Sequence, residues 1–310
     1  ETQGIDNFFD VGSGIAHQVL PEQGFVLPGR LIVGTDPRTT TAGAFGAYAT
    51  AVERPAMVDA MAGGKLSLRV PETLRVLAAG HFPAGVTATD LGLRVLAELG
   101  FRGAAGLALE FAGPAVAALS VSGRMTLCSL GTWLGAAAAY VEPDTATMDY
   151  LNGRARDNFV VVRGDPEAAV AVREIPASGL EPMIAGPDAR EAGIGTAAAR
   201  GGRVVNQVLI GGCTNGRLDG LRAAAAVLRG RRASPGVRLL MLPASAEVLR
   251  AAAADGTLVT LLDAGAVLLS PGCSACVGYY PAALAPDETA LTTVGRQCRG
   301  VRSEEHTSEL

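Results

Sequence analysis

The chain has 310 residues, 49% of them hydrophobic and 18% charged, with a formal net charge of -4 and a pI of about 5.5. This composition supplies apolar material for two or three globular domains, and it offers no basic stripe to match a nucleic-acid backbone. Apolar runs such as 204–210 and 264–269 fall far short of the roughly 20 residues that cross a bilayer, and residue 1 opens in polar sequence without a signal segment, so the expectation is small-metabolite chemistry in the cytoplasm, with no membrane and no nucleic acid.

Along the chain, Leu31-Ile32-Val33 reads as a strand leading through Gly34-Thr35-Asp36 into a small-residue helix near Thr39. Side chains at the carboxyl end of such a strand face the crevice where α/β folds bind ligands, which singles out Asp36 and Arg38. The character changes at Val70-Pro71-Glu72, where a new strand pair is expected, followed by a helix over 90–99, apolar segments at 106–110 and 125–128, and an alanine-rich helix over 131–140. The polar stretch 152–199 reads as an extended crossing strand and linker. Residues 204–210 then form a β-branched strand that ends at Gly211-Gly212-Cys213, with Leu218, Leu221 and Ala225 on one face of the next helix. Two further βα patterns follow, from 237–240 into a helix over 247–254, and a strand over 266–269 that ends at Ser270-Pro271-Gly272-Cys273.

Five cysteines in a chain of this length do not suggest a disulfide framework; clustered thiols in a reducing compartment serve metals or redox chemistry. Cys273 and Cys276 form a C-x-x-C after a Pro-Gly turn, and Cys213 ends an earlier strand. In a parallel sheet those strand ends share one edge, so three thiolates can hold an iron–sulfur cluster at three corners. Spacing alone leaves open a thioredoxin-like redox pair, half a zinc site or buried small residues. Cys128 and Cys298 read as ordinary residues.

The surrounding text is more specific. GGCTNGRLDGLRAAAAVLRGR and SPGCSACVG resemble the two cluster-ligand segments of the aconitase family, and DVGSGIAHQVLPEQGFVLPGRLIVGTDPRTTTAGAFGAYAT is similar to a long block of its 3-isopropylmalate dehydratase and homoaconitase large subunits. The likeness runs from about Asn7 to Gly300 and takes in VPETLRV, EFAGPAV and VSGRMTL. It implies an aconitase-like α/β fold of three-layer α/β/α domains with mostly parallel sheets, divided as 1–70, 71–185 and 186–301, the last carrying the cysteines. It further implies that Cys213, Cys273 and Cys276 ligate a [4Fe-4S] cluster, that His17 and Asp36 occupy catalytic positions, and that Arg296 binds a substrate carboxylate. The implied reaction is dehydration and rehydration of a hydroxy-di- or tricarboxylic acid of the 3-isopropylmalate or homocitrate type, in amino-acid (leucine-type) biosynthesis. A separate small subunit is implied as partner, since in this branch the mobile domain with the proton-abstracting serine lies on another chain. Without the resemblance, His17 would be a histidine in a strand, read as structural.

Several positions depart from the family's pattern. Its Asp-Ser-His-Thr segment stands here as Asp36-Pro37-Arg38-Thr39, exchanging a histidine for a permanently charged guanidinium that can bind a carboxylate but cannot shuttle a proton. Its Cys-Asn-Met segment reads Cys128-Ser129-Leu130, with Trp133 in a glutamate position. Asp188 replaces a histidine, and Gly295 and Gln297 replace the asparagines flanking Arg296. Relative to the family the chain is expected to be a fragment, cut near Val301. Residues 302–310 match the translated reading of a sequencing adapter and are set aside as non-native, so His306 is given no role.

Overall fold

A computed structural model describes residues 4–186, 193–200, 202, 204–273, 275–278, 280–285 and 287–294. Arg296, Asp188, Gly295, Gln297 and the 302–310 tail lie outside them. The chain divides into two compact units, one of Glu1–Val19 with Val204–Leu310 and the other of Leu20–Arg203. This division by packing differs from the division by sequence character into 1–70, 71–185 and 186–301, and by itself assigns no function to either unit.

The chain begins with helix α1 (Ala16–Glu22), which starts in the first unit and ends in the second. In the second unit, β1 (Leu31–Gly34) and β2 (Tyr48–Ala51) pair in parallel and are bridged by a 3-10 helix over Pro37–Phe45. After helix α2 (Arg54–Gly63) come β3 (Thr73–Ala79), α3 (Ala88–Leu99), β4 (Ala108–Ala112), α4 (Pro114–Ala117), α5 (Val121–Leu130), β5 (Ala138–Val141), α6 (Thr145–Leu151) and β6 (Ala169–Pro176). The strands assemble in the order β5-β4-β3-β6, all parallel. Leu74, Val76 and Ala78 on alternate positions of β3 are buried, and Leu91 and Val95 of α3 and Met125 and Leu127 of α5 join them in one core with Phe45. The alternation is what a strand with one wholly buried face requires. A two-stranded antiparallel pair, β7 (Met183–Ala185) with β8 (Ile194–Thr196), closes the unit, and the Met183 amide donates to Asp90 Oδ1 at 2.6 Å on the first turn of α3.

The first unit carries β9 (Gln207–Gly211), helices α7 (Gly212–Asn215) and α8 (Leu218–Leu228), β10 (Arg238–Leu242), α9 (Ala246–Ala254), α10 (Thr257–Asp263), β11 (Val267–Leu268) and β12 (Ala290–Thr292). Its strands run β11-β10-β9-β12, again all parallel. One core sets Ile210, Leu239 and Met241 against Leu221, Val248 and Leu261 of the helices. Leu209, Leu240 and Leu242 pack instead with Ala275, Cys276 and Val294. Alternate strand positions thus place the helices in one core and the second cysteine segment in another.

The α/β class with mostly parallel sheets holds. Local expectations differ from the structure in several places. Residues 70–83 give one strand, β3, and not a strand pair. The apolar segment 125–128 lies within helix α5, whose N-cap is Ser120, its Oγ accepting from the Gly123 amide at 3.2 Å. The alanine-rich stretch 131–140 is a run of turns ending in β5. The backbone is closely approached here: a Cβ at Gly43 would collide with the Ala139 carbonyl, and Gly135 takes φ +70°. The helix near Thr39 is a 3-10 helix, capped by Asp36, whose Oδ1 accepts from the Arg38 amide at 2.8 Å.

Candidate functional site

The cysteine-bearing turn follows β9. Gly211 has φ +136°, and a Cβ there would run into the Leu242 carbonyl of the neighbouring strand. Gly212 has φ +72°, and a Cβ would lie 2.5 Å from Cys276 Sγ and 2.6 Å from Val294 Cγ1. The Cys276 sulfur therefore rests on the backbone immediately before Cys213, in space that exists because residue 212 has no side chain. Cys276 is 7% exposed, Cys213 is half-buried and Cys273 is exposed. The Cys276 amide donates to the Cys273 carbonyl at 3.1 Å, closing one turn of the C-x-x-C. The residue after β12 braces the same turn: Asn215 Nδ2 donates to the Thr293 carbonyl at 2.8 Å, and Thr293 Oγ1 accepts from the Gly211 amide at 2.9 Å. Among the described residues no group of three or more His, Cys, Asp or Glu side chains closes to metal-ligating distance. Cys213, Cys273 and Cys276 are thiols, as is Cys128, which is buried in the core of the other unit.

His17 lies on α1, half-buried, and not in the strand that local pattern suggested. Backbone contacts fix the start of this helix to the loop after β10: the Ile15 amide donates to the Ala244 carbonyl at 2.9 Å, the Ala246 amide to the Ser13 carbonyl at 3.0 Å, and Gly14 bridges to Ser245.

Asp36 is exposed and Arg38 half-buried, both at the carboxyl end of β1. Arg38 Nη1 donates to Ser129 Oγ at 2.8 Å, and Ser129, on the last turn of α5, is 0% exposed. Thr132 Oγ1 donates to the Pro37 carbonyl at 3.1 Å, and Thr40 Oγ1 to the Cys128 carbonyl at 2.9 Å. The segments 37–40 and 128–132 therefore dock on each other. Trp133, half-buried, meets Phe101 edge-on with ring centroids 6.4 Å apart. No sequence signal links Arg38 to Ser129, since they stand 91 positions apart.

Sequence reasoning also missed two buried charged groups in the second unit. Arg124, 0% exposed, grips both oxygens of Asp144 at 2.6 and 2.7 Å and donates to the Ala117 and Leu119 carbonyls. That hydrogen bonding, the largest influence on Asp144, holds its carboxyl below the usual range. Arg75, Glu110 and Tyr140 occupy paired positions of β3, β4 and β5. Burial pushes Glu110 up, with Arg75 Nε 3.6 Å away pulling it back. Burial, with Glu142 and Glu110 adding to it, pushes Tyr140 up to about 12, while its hydroxyl donates to the Val162 carbonyl at 3.0 Å.

A family model described as Aconitase family (aconitate hydratase) matches residues 1–199 and 166–308. The chain is 42% identical over 301 residues to the probable 3-isopropylmalate dehydratase large subunit of Methanothermobacter thermautotrophicus, covering 97% of this chain and 72% of that one. It is 42% identical to the probable methanogen homoaconitase large subunit of Methanosarcina mazei, over 96% of this chain and 76% of that one. With the homoaconitase large subunit of Thermus thermophilus the figures are 43%, 94% and 69%. The solved structure of Thermococcus kodakaraensis aconitase X (holo-form) aligns with a TM-score of 0.49 at 15% identity, over 84% of this chain and 61% of that one, a likeness too weak to carry argument.

Proposed function

The chain belongs to the aconitase family, and from that membership we propose that it is the large subunit of an iron–sulfur hydro-lyase acting on a hydroxy-di- or tricarboxylic acid of the 3-isopropylmalate or homocitrate type. The observation that carries this reading is the seat of Cys276 Sγ on the bare backbone of Gly212, next to Cys213. It supports the reading because it sets Cys276, of the second cysteine segment, against the backbone that precedes Cys213. Three thiolate donors and a glycine cradle fit a [4Fe-4S] cluster held by Cys213, Cys273 and Cys276. Such a cluster, when bound, supplies an iron with an open coordination position, a Lewis acid for the substrate hydroxyl.

The protein's own groups do the rest. His17 carries an imidazole, the side chain able to gain and lose a proton near neutrality, and is assigned to the departing hydroxyl. Asp36 is assigned a catalytic role from the family resemblance, and its carboxylate fixes the turn that presents Arg38. Arg38 offers a guanidinium to a substrate carboxylate, as does Arg296 outside the described residues. The base that removes the carbon-bound proton is assigned to a separate small subunit. Among the described residues no helix is long and apolar enough to cross a membrane; the cytoplasm is the location proposed from the family resemblance.

The test is anaerobic reconstitution with iron and sulfide, followed by absorption and paramagnetic resonance spectra beside a Cys213→Ala variant. Spectra of a cluster that disappear in the variant support the assignment; a folded chain that takes up no iron and sulfide defeats it. The Arg38–Ser129 contact favours a second reading, a cluster-binding homologue without turnover, because a guanidinium stands where proton exchange would be needed. Turnover of any hydroxy-di- or tricarboxylate with a supplied small subunit would eliminate that alternative.

A further inference from the structure

Arg217 follows the cysteine turn by one glycine and opens α8 as its N-cap residue. A cation at a helix N-terminus opposes the helix dipole, and burying one costs far more unless it is paired and hydrogen-bonded. Yet Arg217 is 2% exposed. Two hydrogen bonds hold it there. Nε donates to Gln18 Oε1 at 3.0 Å, and Nη1 donates to the Thr214 carbonyl at 2.7 Å. Gln18 is itself 5% exposed, so neither partner can be replaced by bulk water. Gln18 is the neighbour of His17, and Thr214 is the neighbour of Cys213.

We propose that Arg217 and Gln18 are positioning residues: the guanidinium clasps the histidine-bearing helix to the cysteine-bearing turn, and so sets where the His17 imidazole stands relative to Cys213. The planar fork suits this task because its nitrogens reach two acceptors in fixed relative directions. A lysine could satisfy one acceptor or the other, and would leave the second bond of the clasp unmade. The backbone bonds at Ser13 and Ile15 anchor only the entry to α1. The far end is held where Arg154 Nη1 donates to the Glu22 carbonyl at 3.1 Å, and Gln18 ties the first turn, next to His17, to Arg217. The inference rests on the hydro-lyase reading for its purpose, and on geometry alone for the clasp.

The experiment uses the full chain in four forms: unaltered, Arg217→Met, Gln18→Met and Gln18→Glu. The methionines keep volume and remove the hydrogen bond, whereas glutamate keeps the accepting oxygen. Amide hydrogen exchange without metal tests the clasp whether or not a cluster binds. Amides of residues 16–19 are expected to exchange about tenfold faster in both methionine variants, the loss of roughly one buried hydrogen bond, and at the unaltered rate in Gln18→Glu. Should Arg217→Met fail to fold, the two Gln18 variants decide. Equal exchange in Gln18→Met and the unaltered chain would overturn the clasp.

The positioning role is read after reconstitution, from paramagnetic broadening of the His17 ring protons at unchanged iron content. Broadening that falls in Gln18→Met and returns in Gln18→Glu supports it. Faster exchange with unaltered broadening reduces the clasp to a structural tie and overturns the positioning role. If the unaltered chain assembles no cluster, the hydro-lyase reading fails separately, and the exchange arm still stands.

Discussion

The cysteine turn and the Asp36–Thr40 segment both end a strand of a parallel sheet, yet they are held by different kinds of contact. At the turn, backbone sets the limits. Gly211, Gly212 and Gly216 each lie where an added Cβ would strike a carbonyl, a thiol or the preceding turn, and the first two also have positive φ. At Asp36–Thr40, side chains meet side chains across a gap, through Arg38 with Ser129 and Thr40 with Thr132. A backbone clash has no partner that can change to relieve it, whereas two facing side chains can change together. Arg38 and Ser129 meet at hydrogen-bond distance. They therefore form a pair that can be exchanged together.

Four outcomes would break or sharpen that contrast. The largest effect is expected from Gly212→Ala, which forces a Cβ onto Cys276 Sγ in a φ that disfavours side chains. A loss of about 2–4 kcal/mol should show in urea unfolding, together with failure to retain iron after reconstitution. Unchanged stability would mean that the turn is not backbone-limited. Next comes Arg124→Met, which strips donors from the Ala117 and Leu119 carbonyls and unpairs Asp144. Because Asp144 is partly exposed and can rehydrate, about 2–3 kcal/mol is expected from the same measurement. It tests whether the scaffold of the Asp36–Thr40 segment tolerates loss of a side-chain network as poorly as the turn tolerates a Cβ.

A smaller effect is expected at the Arg38–Ser129 pair. Arg38→Met and Ser129→Ala should each cost about 1 kcal/mol, and the double variant about the same as either one. Full additivity would show that the contact carries no energy. Arg38→His combined with Ser129→Asn should likewise lie closer to the unaltered chain than the sum of the single changes.

The smallest concerns Glu110. Its folded pKa is raised by burial, so ionisation is harder in the fold than in the unfolded chain. Its contribution is thus most favourable below the unfolded carboxylate range and is eroded as pH rises through the raised folded value. Glu110→Gln should stabilise the protein by about 1 kcal/mol or less near neutrality and leave it unchanged in acid, as followed by thermal melts across pH. A variant that loses stability at neutral pH would show that the Arg75 pairing outweighs desolvation.

Much of the fold was legible locally. Leu31–Gly34, Gln207–Gly211 and Arg238–Leu242 are strands close to where β-branched and leucine runs placed them, and the helical face of Leu218, Leu221 and Ala225 appears in α8. Alanine misled at 131–140, since a small side chain serves helix propensity and close backbone approach equally well. His17 was placed in a strand because a short segment broken by Pro21 has too few turns to display helical period.

The sequence by itself determined the membership, the strand-end cysteines and the chemistry they invite, because glycine, cysteine and proline carry their constraints in single positions. The resting place of Cys276 on Gly212, the meeting of Arg38 with Ser129 and the burial of Arg217 between Gln18 and Thr214 were decided only by tertiary structure. Each joins residues from different elements, and a hydrogen bond or a van der Waals contact depends on distance in space, which separation along the chain does not encode.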